Sequence, residues 1–470
     1  MTPQEQLALL KRGSSAWNNW RISHQELEPD LAFADLRDAN LAYANLHLAN
    51  LSSADLRGAN LQHAYLSHAT LDNVHLNGAD LSGADLSSTN LQHADLRNTD
   101  LRAANLSKAI FYQSLLDGAD LSGTVLHSAD LSHTTLLGTI LHETNLCGAK
   151  LHHLTLSGFH LSRFQLRVAD LHNCDLSHTD LSEADLYEAE LYQSDLRRAN
   201  LSGADLRGAN LNKANLNGTN LRRANLSRAF LGGTNLNNAF LDGADLRGAS
   251  MWQAHLEGAN LSETDLSRVN LGSASLDNIN LSRANLCEAN LNGASLNNAK
   301  LSNTNLSKAS FYKTSLRSVD LSNANLYAAR LDGANLEQAN LSGADLRSAD
   351  LSRANLSEAL LLSANLSGAT LTQANLSAAT LTHANLENAV LPFANLSRTN
   401  LSNANLNGAN LVNAHLIETL LTRASLENVS LSGARLERVD LRGIPWLLIM
   451  ELTLQTGTIW KEPLYDAQTS

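Results

Sequence analysis

From Leu31 to Leu441 every fifth residue is Leu, except Phe111, Met251 and Phe311. The phase runs unbroken through 83 positions, so no insertion or deletion shifts the register anywhere in that span. A period of five matches neither the 3.6-residue helix nor the two-residue strand. No single helix or strand collects these leucines on one face. The chain must turn at fixed intervals, and it reads as a repeat array.

Two residues before each Leu the chain carries something small. Of 82 such positions 56 are Ala, which leaves room for one small and one large inward residue per repeat. The residue just before the Leu is usually Asp or Asn, and the two after it are polar. Of 26 Gly residues 22 fall two after the Leu, where a corner requires positive φ. Asp and Asn beside a corner can bond neighbouring backbone amides. Each repeat is therefore a very short extended piece plus a corner.

The pattern A-(D/N)-L-x-x, as in "ADLSG", "ANLSR" and "ADLRG", resembles the pentapeptide-repeat family over residues 31 to 443. The string "AWNNWR" ahead of the array is similar to the leader of cyanobacterial-type members. The resemblance implies an all-β solenoid, a right-handed quadrilateral parallel β-helix with four repeats to a coil. Residues 31–443 then make about 21 coils, a rod on the order of 100 Å long at roughly 4.8 Å per coil. The inward Ala/Leu pair, by contrast, is read from the residues themselves.

A solenoid needs covered ends. Residues 1–30 read as an N-terminal helical cap: Thr2, Pro3 and Glu5 form a capping-box pattern with Pro at the first helical position. Leu7, Leu10 and Trp17 fall on one side, and Gly13 allows a split into two short helices. Residues 444–470 read as a C-terminal cap or dimer segment. Pro445 breaks the period there, and the following apolar residues partly alternate. In gyrase-protecting members of the resembled family the C-terminal end is the dimer contact. By that resemblance Trp446, Leu448 and Met450 are candidate homodimer residues.

Cys147, Cys174 and Cys287 are far apart, with Cys174 inward, which argues against a disulfide framework and for a reducing, cytoplasmic setting. The longest apolar stretch, Trp446 to Met450, is too short to span a bilayer. No nucleotide loop, zinc spacing or triad signature is present, so no enzyme activity, cofactor or metal is assigned. His133 and His153 are twenty residues apart and stack, as do His152 and His172, with His93 lower in the same column. Two imidazoles per rung suit Zn²⁺ or Ni²⁺. The column holds no carboxylate or Cys, so a solvated patch is preferred to a metal site. One coil places Leu154, Phe159 and Phe164 in successive small positions. That predicts local widening, a bulged coil packed by aromatics in preference to a ligand cavity.

Sorted by period, the four outer faces carry net charges of −2, −4, −2 and −2 within the chain's −12. None offers the basic stripe that nucleic acid requires, and none approaches the charge density of a duplex. Outward aromatics concentrate on the face of the Leu31 series: Phe33, Tyr112, Tyr192, Phe230, Trp252, Tyr312 and Phe393. This is the candidate protein-contact face, since exposed aromatics with few charges resemble an interface. The expectation is a non-enzymatic interaction or scaffold protein that presents a rigid surface to an unidentified protein partner, with no nucleic acid or membrane partner. The alternative, drawn from the resemblance, is a DNA-mimicking binder of gyrase.

Overall fold

In the computed structural model, which describes residues 1–465, the chain divides into two compact units, Met1–Asn220 and Leu221–Ser470. Both are built from the same pentapeptide, and the backbone of one repeat explains its composition. In Ala59–His63, the Asn60 N–H donates to the Ala39 carbonyl of the turn below at 3.0 Å. The Leu61 and His63 N–H groups donate to the Asp80 and Ser82 carbonyls of the turn above, at 2.7 and 3.0 Å. The Ala59 N–H closes a corner onto the Leu56 carbonyl at 3.0 Å. The remaining donor, on Gln62, is taken by Asn60 Oδ1 at 3.0 Å. All five donors are thus satisfied, and Asp or Asn precedes Leu because its side chain accepts the one N–H that no neighbouring coil takes.

The residue two after Leu is the third of a four-residue turn and is left-handed, with φ of 51° at His63. Gly suits it for a second reason at some corners. A Cβ at Gly118 would collide with Asn98 Oδ1 from the corner beneath.

Up to Leu420–Asp440, parallel pairing joins residues twenty apart. In the first unit Asp35 pairs Asp55, Asn40 pairs Asn60, Asn45 pairs Tyr65 and Asn50 pairs Thr70, one ladder on each of four sides. The second unit repeats this from Asn225–Asp245 to Asn410–Ser430. Leu and Ala line the interior, and Phe111, Met251 and Phe311 remain fully buried in place of Leu. Each Leu contributes about 1.5–3 kcal/mol of burial before chain entropy is charged. Ser and Thr are tolerated at the small position because the hydroxyl donates to a Leu carbonyl, either of its own turn, as from Thr89 to Leu86 at 2.7 Å, or of the coil below. Examples are Thr99 to Leu76 at 3.0 Å and Ser194 to Leu171 at 2.8 Å.

Two helices precede the array, α1 (Pro3–Leu10) and α2 (Ser14–Ile22), separated at Gly13 with φ of 110°. The capping box forms, Thr2 and Glu5 each accepting the other's backbone N–H. Gln6, Leu10, Trp17 and Arg21 are buried, whereas Leu7 is half-buried. Trp17 Nε1–H donates to the Asn45 carbonyl at 2.7 Å, and Asn18 Oδ1 accepts the Asn45 N–H at 2.7 Å. Arg21 is the other polar anchor of α2. Its guanidinium donates to the His24, Leu27 and His47 carbonyls at 2.7–2.8 Å and to Gln25 at 3.2 Å.

The last turns of the second unit contain β1 (His415–Ile417), β2 (Arg435–Glu437) and, after α3 (Trp446–Thr453), β3 (Ile459–Lys461). Here the chain leaves the pentapeptide pattern. The apolar stretch that partly alternates is helical, and Pro445 stands at its N-cap. The chain then rejoins the ladder, with Leu436 opposite Trp460 and Asp440 paired with Leu464. Residues 466–470 lie outside the described residues. Among the described residues no helix is long and apolar enough to cross a membrane.

Candidate functional site

The regular ladder fails at one place in the first unit. Between residues 131–150 and 151–170, Asn145 pairs Gln165 and Lys150 pairs Asp170, yet Thr135 does not pair Thr155 and Ile140 does not pair His160. The N–H groups of Leu136, Leu141, Thr155 and His160 therefore lack the backbone partners that equivalent positions have elsewhere in this unit. The cause is volume. Leu154, Phe159 and Phe164 occupy positions that hold Ala in most repeats, and their bulk wedges two coils apart on adjacent sides. Widening was expected, but a coil packed shut by aromatics is not what forms. Phe159 and Phe164 are half-buried and line an open cleft of about 960 Å³, together with Ile140, Leu141, His142 and Arg163. The void among the flanking leucines, Leu131 to Leu176, is only about 10 Å³. The extra volume is released outward, not as an internal chamber.

Two apolar side chains stand exposed at or next to the lip, amid polar neighbours such as His142, Glu143 and Arg163. Leu137 is 83% exposed and Ile140 50% exposed, and Ile140 stands where Asp or Asn normally caps. A sequence signal existed: Thr134, Thr139 and Thr144 fill the small positions facing the bulky ones, while Thr135, Ile140, Thr155 and His160 replace the usual Asp or Asn.

At one corner beside the cleft, rings form a continuous run. His133 stacks on His153 at 5.2 Å between centroids, and His152 on His172 at 4.6 Å and 14°. Tyr112 meets His133 edge-on at 5.4 Å and links to His93 at 6.3 Å. Partial desolvation first, and the neighbouring imidazoles of His133, His152 and His172 next, hold His153 below its ordinary pKa. The stacking follows the expected columns, but the inference that no carboxylate is near them is wrong. Asp170 Oδ2 lies 3.2 Å from His152 Nδ1, and Asp170 Oδ1 contacts His172 Nδ1. Reading columns by repeat position hid this carboxylate, because Asp170 curls over to accept the His172 backbone N–H at 3.3 Å.

With these features in place, a family model described as pentapeptide repeats (8 copies) matches overlapping stretches from residue 30 to residue 443, omitting only residue 164 within that range. The chain belongs to the pentapeptide-repeat family. The fold of pentapeptide-repeat proteins is a right-handed quadrilateral β-helix, and the omitted residue is one of the two phenylalanines that wedge the coils apart. Among solved structures, the chain is similar to HetL from the cyanobacterium Nostoc sp. strain PCC 7120, a pentapeptide repeat protein involved in heterocyst differentiation regulation. Identity is 35% over 54% of this chain and 90% of that one, with a TM-score of 0.22. Rfr23 from the cyanobacterium Cyanothece 51142 is 32% identical over 28% of this chain and 87% of its own, at TM-score 0.17. QnrB1, a plasmid-mediated fluoroquinolone resistance protein, is 18% identical over 41% of this chain and 90% of its own, at TM-score 0.27. No curated protein matches the chain.

The pentapeptide-repeat scaffold presents the expected aromatics outward without gathering them. Exposure runs from 80% at Phe33 through Phe393, Phe230, Trp252 and Tyr312 to 37% at Tyr112, and Tyr192 is half-buried. Phe33, Tyr112 and Tyr192 lie in the first unit and the other four in the second. Among the described residues no two of the seven are in ring contact. Their neighbours are polar, as with Lys213 near the Tyr192 ring and Lys313 near Tyr312. On α3, Trp446 and Met450 are exposed while Leu448 is half-buried. Leu447 and Leu454, passed over in the sequence, are more exposed than any of these, at 84% and 81%.

Proposed function

We propose that this chain is a non-enzymatic interaction protein, a scaffold whose partner is a protein and whose principal contact is the parted pair of coils. One observation carries the reading: the missing pairing of Thr135 with Thr155 and of Ile140 with His160. An unpaired strand edge is a template for another strand. Here the edges at Ile140 and His160 face one cleft whose lining includes Phe159 and Phe164. An extended partner segment supplies the absent N–H and C=O groups, and its alternate side chains reach the aromatic lining, the logic of strand addition.

In this reading α1 and α2 cap the first of about 21 coils. The aromatic face from Phe33 to Phe393 is a secondary contact surface. Residues 444–470 close the far end, and the outward apolar side of α3, with Trp446, Leu447 and Met450, offers a homodimer contact. A cytoplasmic setting is supported by three unpaired cysteines. The even distribution of charge favours a protein partner over nucleic acid.

The experiment restores the family pattern. Leu154→Ala, Phe159→Ala and Phe164→Ala together remove the wedge and let the ladder close. Native protein and the triple variant are screened against the same displayed peptide library, with amide hydrogen exchange measured on both. Expected outcomes are peptides retained by the native chain and lost by the variant, with exchange at Leu136, Leu141, Thr155 and His160 fast in the first and slow in the second. Equal peptide retention by a variant whose amides are protected overturns the reading, as does a library that yields no binder.

A further inference from the structure

We propose that His152, Asp170 and His172 form a binding site for a divalent transition-metal ion of the Zn²⁺ class. The site is separate from the cleft and does not depend on it for its argument. One ligand atom from each of the three residues lies within 4.8 Å of the others, and all three residues are half-buried. Two imidazoles and one carboxylate are a suitable donor set for Zn²⁺, and three protein ligands leave a fourth position open. Metal–ligand bonds of about 2.0–2.2 Å require the three atoms to approach further, which a small rotation of the stacked rings provides.

Two details separate this trio from the other outward histidines. First, Asp170 divides its work. Oδ1 caps the His172 backbone N–H and contacts the His172 ring, while Oδ2 points at His152. The carboxylate is thus held in place by the repeat's own backbone and still has an oxygen to give. Second, His152 Nδ1 is shielded from solvent and makes no hydrogen bond of good geometry, although Asp170 Oδ2 is 3.2 Å away. A shielded nitrogen facing a carboxylate at that distance has a lone pair without an acceptable partner, and a cation between the two supplies one. The rigid coil spacing sets the separation of the two imidazoles, since their repeats are locked one coil apart by the Lys150–Asp170 pairing and the Leu151 N–H to Asp170 carbonyl bond of 2.7 Å. His153 and His133 are the next rings along the same corner, and His153 stands 5.4 Å from His172 between centroids.

The test uses the full chain, stripped with chelator and titrated with Zn²⁺ in competition with a chromophoric chelator, and with Co²⁺ for its visible spectrum. The expected results are saturation at one equivalent, tetrahedral Co²⁺ bands, and a rise in melting temperature with Zn²⁺. His152→Gln, His172→Gln and Asp170→Asn should each weaken binding by at least about tenfold, the minimum seen even for outer ligand partners. Asp170→Asn keeps the oxygen that caps the His172 N–H, so its metal-free melting should match that of the native chain and isolate the lost charge. His383→Gln, outside the cluster, should change nothing. Absence of saturable binding overturns the site. So does affinity that all three variants retain, which would mark an adventitious histidine surface.

Discussion

At the scale of the residue, burial decides chemistry. Cys174 replaces Ala at an inward position, is 2% exposed and gives its S–H to the Leu151 carbonyl at 2.9 Å. Desolvation pushes its thiol up to about 12, so the thiolate that reacts is scarce at neutral pH. Cys147 and Cys287 are half-buried on the outside. Treatment of the native chain with iodoacetamide at pH 8 should modify those two and leave Cys174 unmodified until denaturant is added. Rapid native labelling of Cys174, mapped by mass spectrometry, would show that the coil opens more readily than its packing implies. Asp170 makes a related point. The oxygen that caps the backbone, Oδ1, also meets the His172 ring, and the second, Oδ2, which the cap does not need, reaches His152, so one carboxylate serves two imidazoles.

Among the elements, what was local in the chain was legible and what was assembled was not. Thr2, Pro3 and Glu5 lie within one helical turn, so their cap could be read directly, and so could the break at Gly13. Arg21 could not, because one of its carbonyl partners, His47, meets it only once α2 docks on the array. The bulk of Leu154, Phe159 and Phe164 was visible, but whether it would swell the core or part the coils depends on which backbone bonds yield first. Residues 446–453 alternated too weakly to distinguish strand from helix, and the return to the ladder at Ile459 needs a pairing 24 residues away in place of the usual twenty. Arg21→Ala should be costly, since it removes four donations to carbonyls, some of them shielded by the docked helices. Charged hydrogen bonds of this kind are worth about 1.5–3 kcal/mol each, though their losses do not add. Expected is a loss of about 2–4 kcal/mol in the stability of the N-terminal segment, read as faster proteolysis and exchange across residues 3–28 while amides beyond residue 60 keep their protection. Unchanged exchange in α2 would mean that Trp17 alone holds it.

For the whole molecule, charge is organised within repeats. Asp55 and Arg57, Asp205 and Arg207, Asp245 and Arg247, and Asp345 and Arg347 pair at 2.5–2.7 Å. Paired this closely, opposite charges leave little field beyond a Debye length of roughly 10 Å, which weighs against imitation of a DNA duplex. The same pairs set an acid limit. The Arg97 side chain holds the Asp95 carboxyl down at about 2, and Asp100, Asp195, Asp205 and Asp345 are lowered by their own arginines. A carboxyl whose pKa is depressed on folding adds stability above its unfolded value of about 3.9 and loses it as pH falls through the folded value. Each exposed pair is individually weak, but the sign is common to all. Melting temperature should therefore stay level from about pH 8 to pH 5 and decline between about pH 4 and pH 2. A decline that begins near pH 6 would assign the loss to the histidine corner instead.

The i to i+20 register also governs how such a chain can change length. Because a regular coil places most of its backbone donors on the coils directly above and below, a duplicated or deleted block of twenty residues leaves each surviving coil with the same kind of neighbour. A single inserted residue would instead turn all later leucines out of the core. Growth and loss are therefore quantised, and the detour through α3 marks an irregularity in length that such a grammar accepts: an excursion that returns to the column it left.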